Sequence, residues 1–257
     1  PATSISPPTK KKRACTSMGV CDPFRFDELP DIETKIYHFA GLVYGDFDGA
    51  LFAEAARHGK VAVDVQCLLR HVEADRTMAF HDWAEKKQYL PVIDYLKTDA
   101  AEAEILTGLT DRAEAAKLLH SWGAKEVLIT HNTEVLAYDG VTTYTCPIKA
   151  RNLSGRTGRG DTTFAGYINE RLTADIPTVL RSATRPGAPE DGDARPLHRH
   201  LDGCGGLSEG ILLSALHVSI SQNHQDGCQP GSRLFSLIPA SPGGAPESEL
   251  FQLSPIG

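Results

Sequence analysis

Between Lys35 and Leu172 the apolar positions follow two rhythms. Residues 35–42, 60–65, 93–97 and 126–130 are short runs rich in β-branched and aromatic side chains, and these predict buried strands. Residues 49–58, 100–106 and 111–122 space their apolar side chains at helical intervals; in the last, Ala115, Leu118, Leu119 and Trp122 share one face. Strand, helix, strand at this spacing predicts a parallel sheet covered by helices, because parallel neighbours need a crossover between them. Residues 134–138 and 141–147 flank Asp139-Gly140 and predict a hairpin. No internal repeat is present.

The flanks lack both rhythms. Residues 1–30 are rich in Pro and Lys, and 185–257 in Pro, Gly, His and Arg; there only 207–221 has the pattern of a helix. The chain therefore divides into a poorly ordered tail (1–30), an α/β core (31–184) and a second tail that does not continue the α/β pattern (185–257). Lys10-Lys11-Lys12-Arg13 matches a nuclear-import or polyanion-binding patch, but it has no aromatic neighbours and reads as a solvated tail.

The whole sequence is 41% hydrophobic, 23% charged and carries a formal net charge of -7, so a general attraction to nucleic acid or anionic lipid is not expected. A small molecule is the expected partner. No apolar run approaches the roughly 18 residues that span a bilayer, and the N-terminal residues lack the order of a secretion signal. The six cysteines are scattered, without a Cys-x-x-Cys pair, and read as reduced thiols of a cytoplasmic protein.

The segment with chemistry in it runs from Asn152 to Tyr167: a Gly-rich turn, Gly158-Arg159-Gly160, feeding a helix whose first residues are Asp161, Thr162 and Thr163. A helix start presents unpaired N–H groups and positive potential, and glycine lets an anion approach that backbone closely. Phosphoryl transfer needs such a site for the charge on the moving group, and a carboxylate to take the proton of the attacking hydroxyl. Asp161 sits where both needs meet. The loop is not a Walker loop, which would place Lys before the hydroxyl residue where this chain has Gly160-Asp161. Capping alone also explains many helices that start with Gly and Asp.

Gly158-Arg159-Gly160-Asp161-Thr162, followed by Phe164-Ala165-Gly166, resembles the Gly-Ala-Gly-Asp signature of ribokinase-like (PfkB-type) carbohydrate kinases, with Arg159 in place of Ala. Asp99-Ala100-Ala101-Glu102, followed by Glu104 to Thr107-Gly108, is similar to that family's Asn-x-x-Glu motif, with Asp99 in place of Asn. The resemblance covers about Pro23 to Thr184. It implies a Rossmann-like, mainly parallel sheet flanked by helices, without the family's lid, and transfer of the γ-phosphoryl group of ATP to a sugar or polyol hydroxyl. It further implies Asp161 as catalytic base, and Gly158, Arg159 and Gly160 as an anion hole. Thr130, His131, Asn132 and Thr157 would contact the nucleotide, while Glu102 and Asp99 would organise Mg²⁺. Family members carry Gly soon after Thr130, where this chain has His131-Asn132. A homodimer is compatible with the resemblance.

No counterpart of the family's sugar-binding portion precedes Lys35, so the sequence reads as N-terminally truncated. A non-catalytic nucleotide-binding or interaction domain is the alternative reading. For suitable codons of residues 185–197, dropping one base gives Ala-Leu-Val-Pro-Leu-Lys-Met-Glu-Thr-Pro-Gly-Pro-Phe, similar to a native family ending. A single-base frameshift near Arg185, and a tail that packs poorly, are the corresponding expectations.

Overall fold

The computed structural model describes residue 17, residues 22–29, 34–148 and 159–184, and three short strands between 217 and 252. In chain order the elements are β1 (Ile36–Phe39), α1 (Gly49–Ala55), β2 (Lys60–Asp64), α2 (Gln66–Leu69), β3 (Arg70–Val72), β4 (Met78–Phe80), α3 (Lys86–Tyr89) and β5 (Tyr95–Asp99). There follow α4 (Ala100–Thr107), α5 (Arg112–Ser121), β6 (Glu126–Thr130), β7 (Glu134–Tyr138), β8 (Thr143–Pro147), α6 (Arg159–Glu170) and α7 (Ile176–Ala183). The tail contributes β9 (His217–Ser221), β10 (Leu234–Ile238) and β11 (Leu250–Gln252).

Aspartate starts four of these helices. Asp48, Asp99, Asp111 and Asp175 precede α1, α4, α5 and α7, and each side chain accepts the N–H three residues on, at 2.8 to 3.0 Å. Each such cap is worth about 1 kcal/mol. At the other end α4 stops at Gly108, whose φ of 74° is a left-handed conformation that glycine adopts without a Cβ clash.

One sheet has the order β11-β10-β9-β1-β2-β5-β6-β7-β8, parallel from β9 through β6 and antiparallel in the ribbons at both ends. This is the α/β sheet with flanking helices that the alternation predicts. The strand period of two sorts its side chains. Val61, Val63, Leu96, Val127 and Ile129 join a core with Phe52 of α1, Ala103 and Leu106 of α4, and Ala115 and Leu119 of α5. The residues between them, Ala62, Tyr95 and Leu128, join the opposite core with Phe164, Tyr167 and Ile168 of α6 and Val179 and Leu180 of α7.

Three expectations need correction. The first strand ends at Phe39 rather than at residue 42, because Asp46 accepts the N–H groups of Leu42 and Val43 at 2.7 and 3.0 Å and folds the chain into a turn. Residues 66–92, left without elements, contain α2, the β3–β4 hairpin and α3. Within 207–221, residues 217–221 are a strand, not helix; Val218 and Ile220 alternate with Ser219 and Ser221, a strand rhythm, and β9 adds to the edge of β1. Backbone pairing thus joins β9 to the sheet.

Candidate active site

The site is built where β2, β5 and β6 end. Their last residues are Asp64, Asp99 and Thr130, with Asp99 and Thr130 register partners across β5 and β6. Open α/β sheets bind ligands beyond the carboxyl ends of their strands.

Helix α6 is fastened from the opposite end. Glu126, the first residue of β6, accepts the Tyr167 hydroxyl at 2.6 Å and a two-pronged contact from the Arg171 guanidinium at 3.0 and 2.8 Å. Burial, then the Glu126 carboxylate, hold the Tyr167 hydroxyl far above its ordinary range. With its later turns held at the amino end of β6, the helix points its first turn, and Asp161, at the carboxyl ends.

Two buried residues meet that first turn. Asp64 and Lys97 are register partners in β2 and β5, on the same face as Ala62 and Tyr95, the face that α6 covers. The Lys97 ammonium donates to Asp64 Oδ2 at 2.7 Å, with side chains only 5% and 3% exposed. A Cβ built on Gly160 would lie 3.1 Å from Lys97 Nζ and 3.3 Å from Cε. Glycine at 160 is what lets the helix start approach the ammonium so closely. Burial disfavours a charged lysine, but Asp64, Glu102 and Asp161 outweigh it and hold Lys97 above the ordinary range.

Asp161 remains exposed, yet crowding around its carboxyl raises its pKa; the Asp64 carboxylate beside it raises it further, while Lys97 and Arg70 oppose the rise. Glu102 is buried, and burial foremost pushes its pKa up to about 7 against the pull of Lys97. Its carboxylate turns back to accept the Asp99 N–H at 2.8 Å, while Asp99 accepts the Glu102 N–H at 2.8 Å. This reciprocal box engages both residues expected to organise Mg²⁺. Among the described residues no group of three or more His, Cys, Asp and Glu is arranged to hold a metal ion by itself. The surplus of carboxylates (Asp64, Glu102, Asp161) over Lys97 fits a hard cation that arrives with phosphate and water ligands.

The other expected residues lie at the rim or outside. Thr130 ends β6 half-buried, its hydroxyl 3.4 Å from the Thr98 carbonyl. His131 and Asn132 are exposed in the turn to β7, where His131 Nδ1 lies 2.9 Å from the Thr133 hydroxyl. Arg159 opens α6; Thr157 and Gly158 lie outside the described residues. Sequence reasoning missed Asp64, Lys97 and Arg70. The available signal was a carboxylate closing the apolar run Val61-Ala62-Val63 and a lysine closing a predicted buried strand, both costly unless paired.

Residues 27–188 match the family model described as pfkB family carbohydrate kinase. The chain belongs to that family. A cytidine kinase of Thermococcus kodakarensis is 32% identical over 114 residues, covering 39% of this chain and 41% of that one. A pyrophosphate-dependent kinase of the ribokinase family, solved with a pyrophosphate analog and myo-inositol, is 32% identical with a TM-score of 0.63 over 67% of this chain and 63% of that one. A sulfate complex of a pyrophosphate-dependent kinase in the ribokinase family, also 32% identical, gives a TM-score of 0.64 over 67% of this chain and 62% of that one. The pfkB chain described here thus spans less than two thirds of these relatives' lengths.

Proposed function

We propose that this chain handles the phosphoryl donor in an ATP-dependent phosphotransferase acting on a sugar or polyol hydroxyl, with residues 31–184 as the working unit. The observation that carries the reading is Asp161 in the first turn of α6, beside Lys97 and beyond the strand ends. Asp161 accepts the proton of the acceptor hydroxyl as its oxygen bonds to the terminal phosphorus; the bond from phosphorus to the bridging oxygen breaks, and ADP leaves with that electron pair. The N–H groups of Gly158, Arg159, Gly160 and Asp161 receive charge on the transferring oxygens. Thr130, His131, Asn132 and Thr157 line the nucleotide's path. Mg²⁺ bound with the donor would neutralise phosphate charge, with Glu102 and Asp99 facing it and its waters. Action in the cytoplasm belongs to this reading. Among the described residues no helix is long and apolar enough to cross a membrane.

A second donor, pyrophosphate, is favoured by the pyrophosphate-dependent relatives at 32% identity. The test is turnover with ATP or pyrophosphate against myo-inositol, cytidine and ribose. Product with ATP supports the first reading and product with pyrophosphate alone the second. Donor binding without turnover by any pair favours a non-catalytic nucleotide-binding domain. With an active pair, Asp161→Asn is expected to leave donor affinity nearly unchanged and to lower kcat by about 10²–10⁴-fold. A variant keeping more than about a tenth of wild-type turnover rules the base assignment out.

A further inference from the structure

Arg70 has no part in the reading above. It opens β3, and its register partner is Phe80 of β4, so the two side chains share one face of the hairpin. The guanidinium carbon lies 5.4 Å from the centre of the Phe80 ring, which is 45% exposed. Backbone bonds fix the root of this hairpin: the Arg70 carbonyl accepts the Tyr44 N–H at 2.7 Å, and the Leu69 carbonyl accepts the His81 N–H at 2.8 Å. The His71 ring stacks on that of Tyr44, their centres 4.1 Å apart. Arg70 is half-buried, and among the described residues its guanidinium donates to no acceptor and pairs with no carboxylate. Partial burial strips water from a charged group, which is costly unless an acceptor replaces it. Contact with a ring face uses none of the five guanidinium N–H donors.

The place of this cation decides what it can hold. Lys97 of β5 lies under the first turn of α6, where a Cβ on Gly160 would stand 3.1 Å from Lys97 Nζ, and β5 pairs with β2. The nucleotide path proposed above passes Thr130 to Asn132, beyond β6 on one side of that turn. Arg70 belongs to the other side: it follows β2 through α2 and is tied to Tyr44, in the segment between β1 and α1. Its charge is felt at Asp161. In-line transfer sets donor and acceptor on opposite sides of the moving phosphoryl group, which puts Arg70 on the acceptor's side. A guanidinium offers its donors as a fork that matches two oxygens of a phosphate or a carboxylate. Resting on the phosphotransferase reading, we propose that Arg70, propped on Phe80, is a specificity-determining residue that selects an acceptor carrying an oxyanion, a phosphate ester or a carboxylate, besides the hydroxyl that is phosphorylated.

The experiment is calorimetric binding to the full chain, at fixed ionic strength, of two matched pairs: ribose 5-phosphate against ribose, and gluconate against glucitol. At least one anionic member should bind about tenfold or more tightly than its neutral partner, and which one does so tells phosphate from carboxylate. Arg70→Gln should weaken that anionic member about 10–100-fold and leave its neutral partner, ATP and pyrophosphate unchanged. No preference in the wild type, including no binding of either pair, overturns the proposal, as does a preference that survives in Arg70→Gln. A loss that falls on ATP or pyrophosphate instead assigns Arg70 to the donor and overturns it too. Should Arg70→Gln not fold, Arg70→Lys decides: it keeps the charge without the fork, so the preference should shrink severalfold, and a preference kept whole overturns the proposal. The two readings fail separately. An Arg70-dependent preference without turnover by any donor and acceptor sinks the phosphotransferase reading alone, while turnover of neutral acceptors without that preference sinks the role of Arg70 alone.

Discussion

Glu102 is the residue at which stability and function pull apart. Its pKa, pushed up to about 7 chiefly by burial, lies above that of the unfolded chain, so folding binds this proton more tightly. The resulting contribution is complete below the ordinary glutamate range and is lost as pH rises through about 7. By pH 8 the buried carboxylate costs up to about 3 kcal/mol. Glu102→Gln keeps an acceptor for the Asp99 N–H and removes the charge. Calorimetry should show its Tm above wild type at pH 8 and level with it near pH 4, while phosphoryl transfer falls. A Tm difference that does not change with pH contradicts the burial argument. Gly160→Ala tests the close approach: the added Cβ meets an ammonium that Asp64 holds in place, so Lys97 cannot easily retreat. Alanine favours helix by up to about 1 kcal/mol over glycine. The expected result is a fold kept near wild-type Tm with turnover lowered by up to about tenfold, since a shift well under 1 Å costs less than the roughly 10²-fold of a full 1 Å misplacement.

At the scale of elements, α6 is fixed at both ends, by Glu126 below and Lys97 above. Glu126→Ala leaves the Arg171 guanidinium and Tyr167 hydroxyl without their common acceptor. It should cost about 3–5 kcal/mol in urea unfolding, with Glu126→Gln milder because the amide oxygen still accepts from Tyr167. Equal losses from both variants would assign the effect to packing alone. Much of this layer was legible: β2, β6 and the β7–β8 hairpin stand within about a residue or two of their predicted bounds, because alternating β-branched runs and Asp139-Gly140 are local signals. The elements between β2 and β5 were not, since α2, β3, β4 and α3 are three or four residues each and too short for a period to declare itself. Asp161 was singled out because a Gly-rich turn feeding a helix is a local signature, and Glu102 because Asp99-Ala100-Ala101-Glu102 resembles a family motif. Lys97 and Asp64 were not, because their meeting depends on the register of β2 against β5, which no local pattern encodes.

Across the whole molecule, the family match ends at residue 188, close to the point where periodicity fails at 185. The frameshift proposal concerns the gene, and genomic DNA around the Arg185 codon tests it. An undisturbed frame that encodes residues 185–257 in related genes overturns it, whereas a one-base gap there supports it. The opposite core leaves the α6-facing side of the sheet dependent on a late segment. Ile36, Ala62, Tyr95, Leu128, Val135 and Ala137 all wait for α6 and α7, which follow the last of those residues by more than twenty positions. A ribosome adding about 5–20 residues per second therefore leaves this apolar face bare for seconds before its cover is made, a window in which aggregation competes with docking.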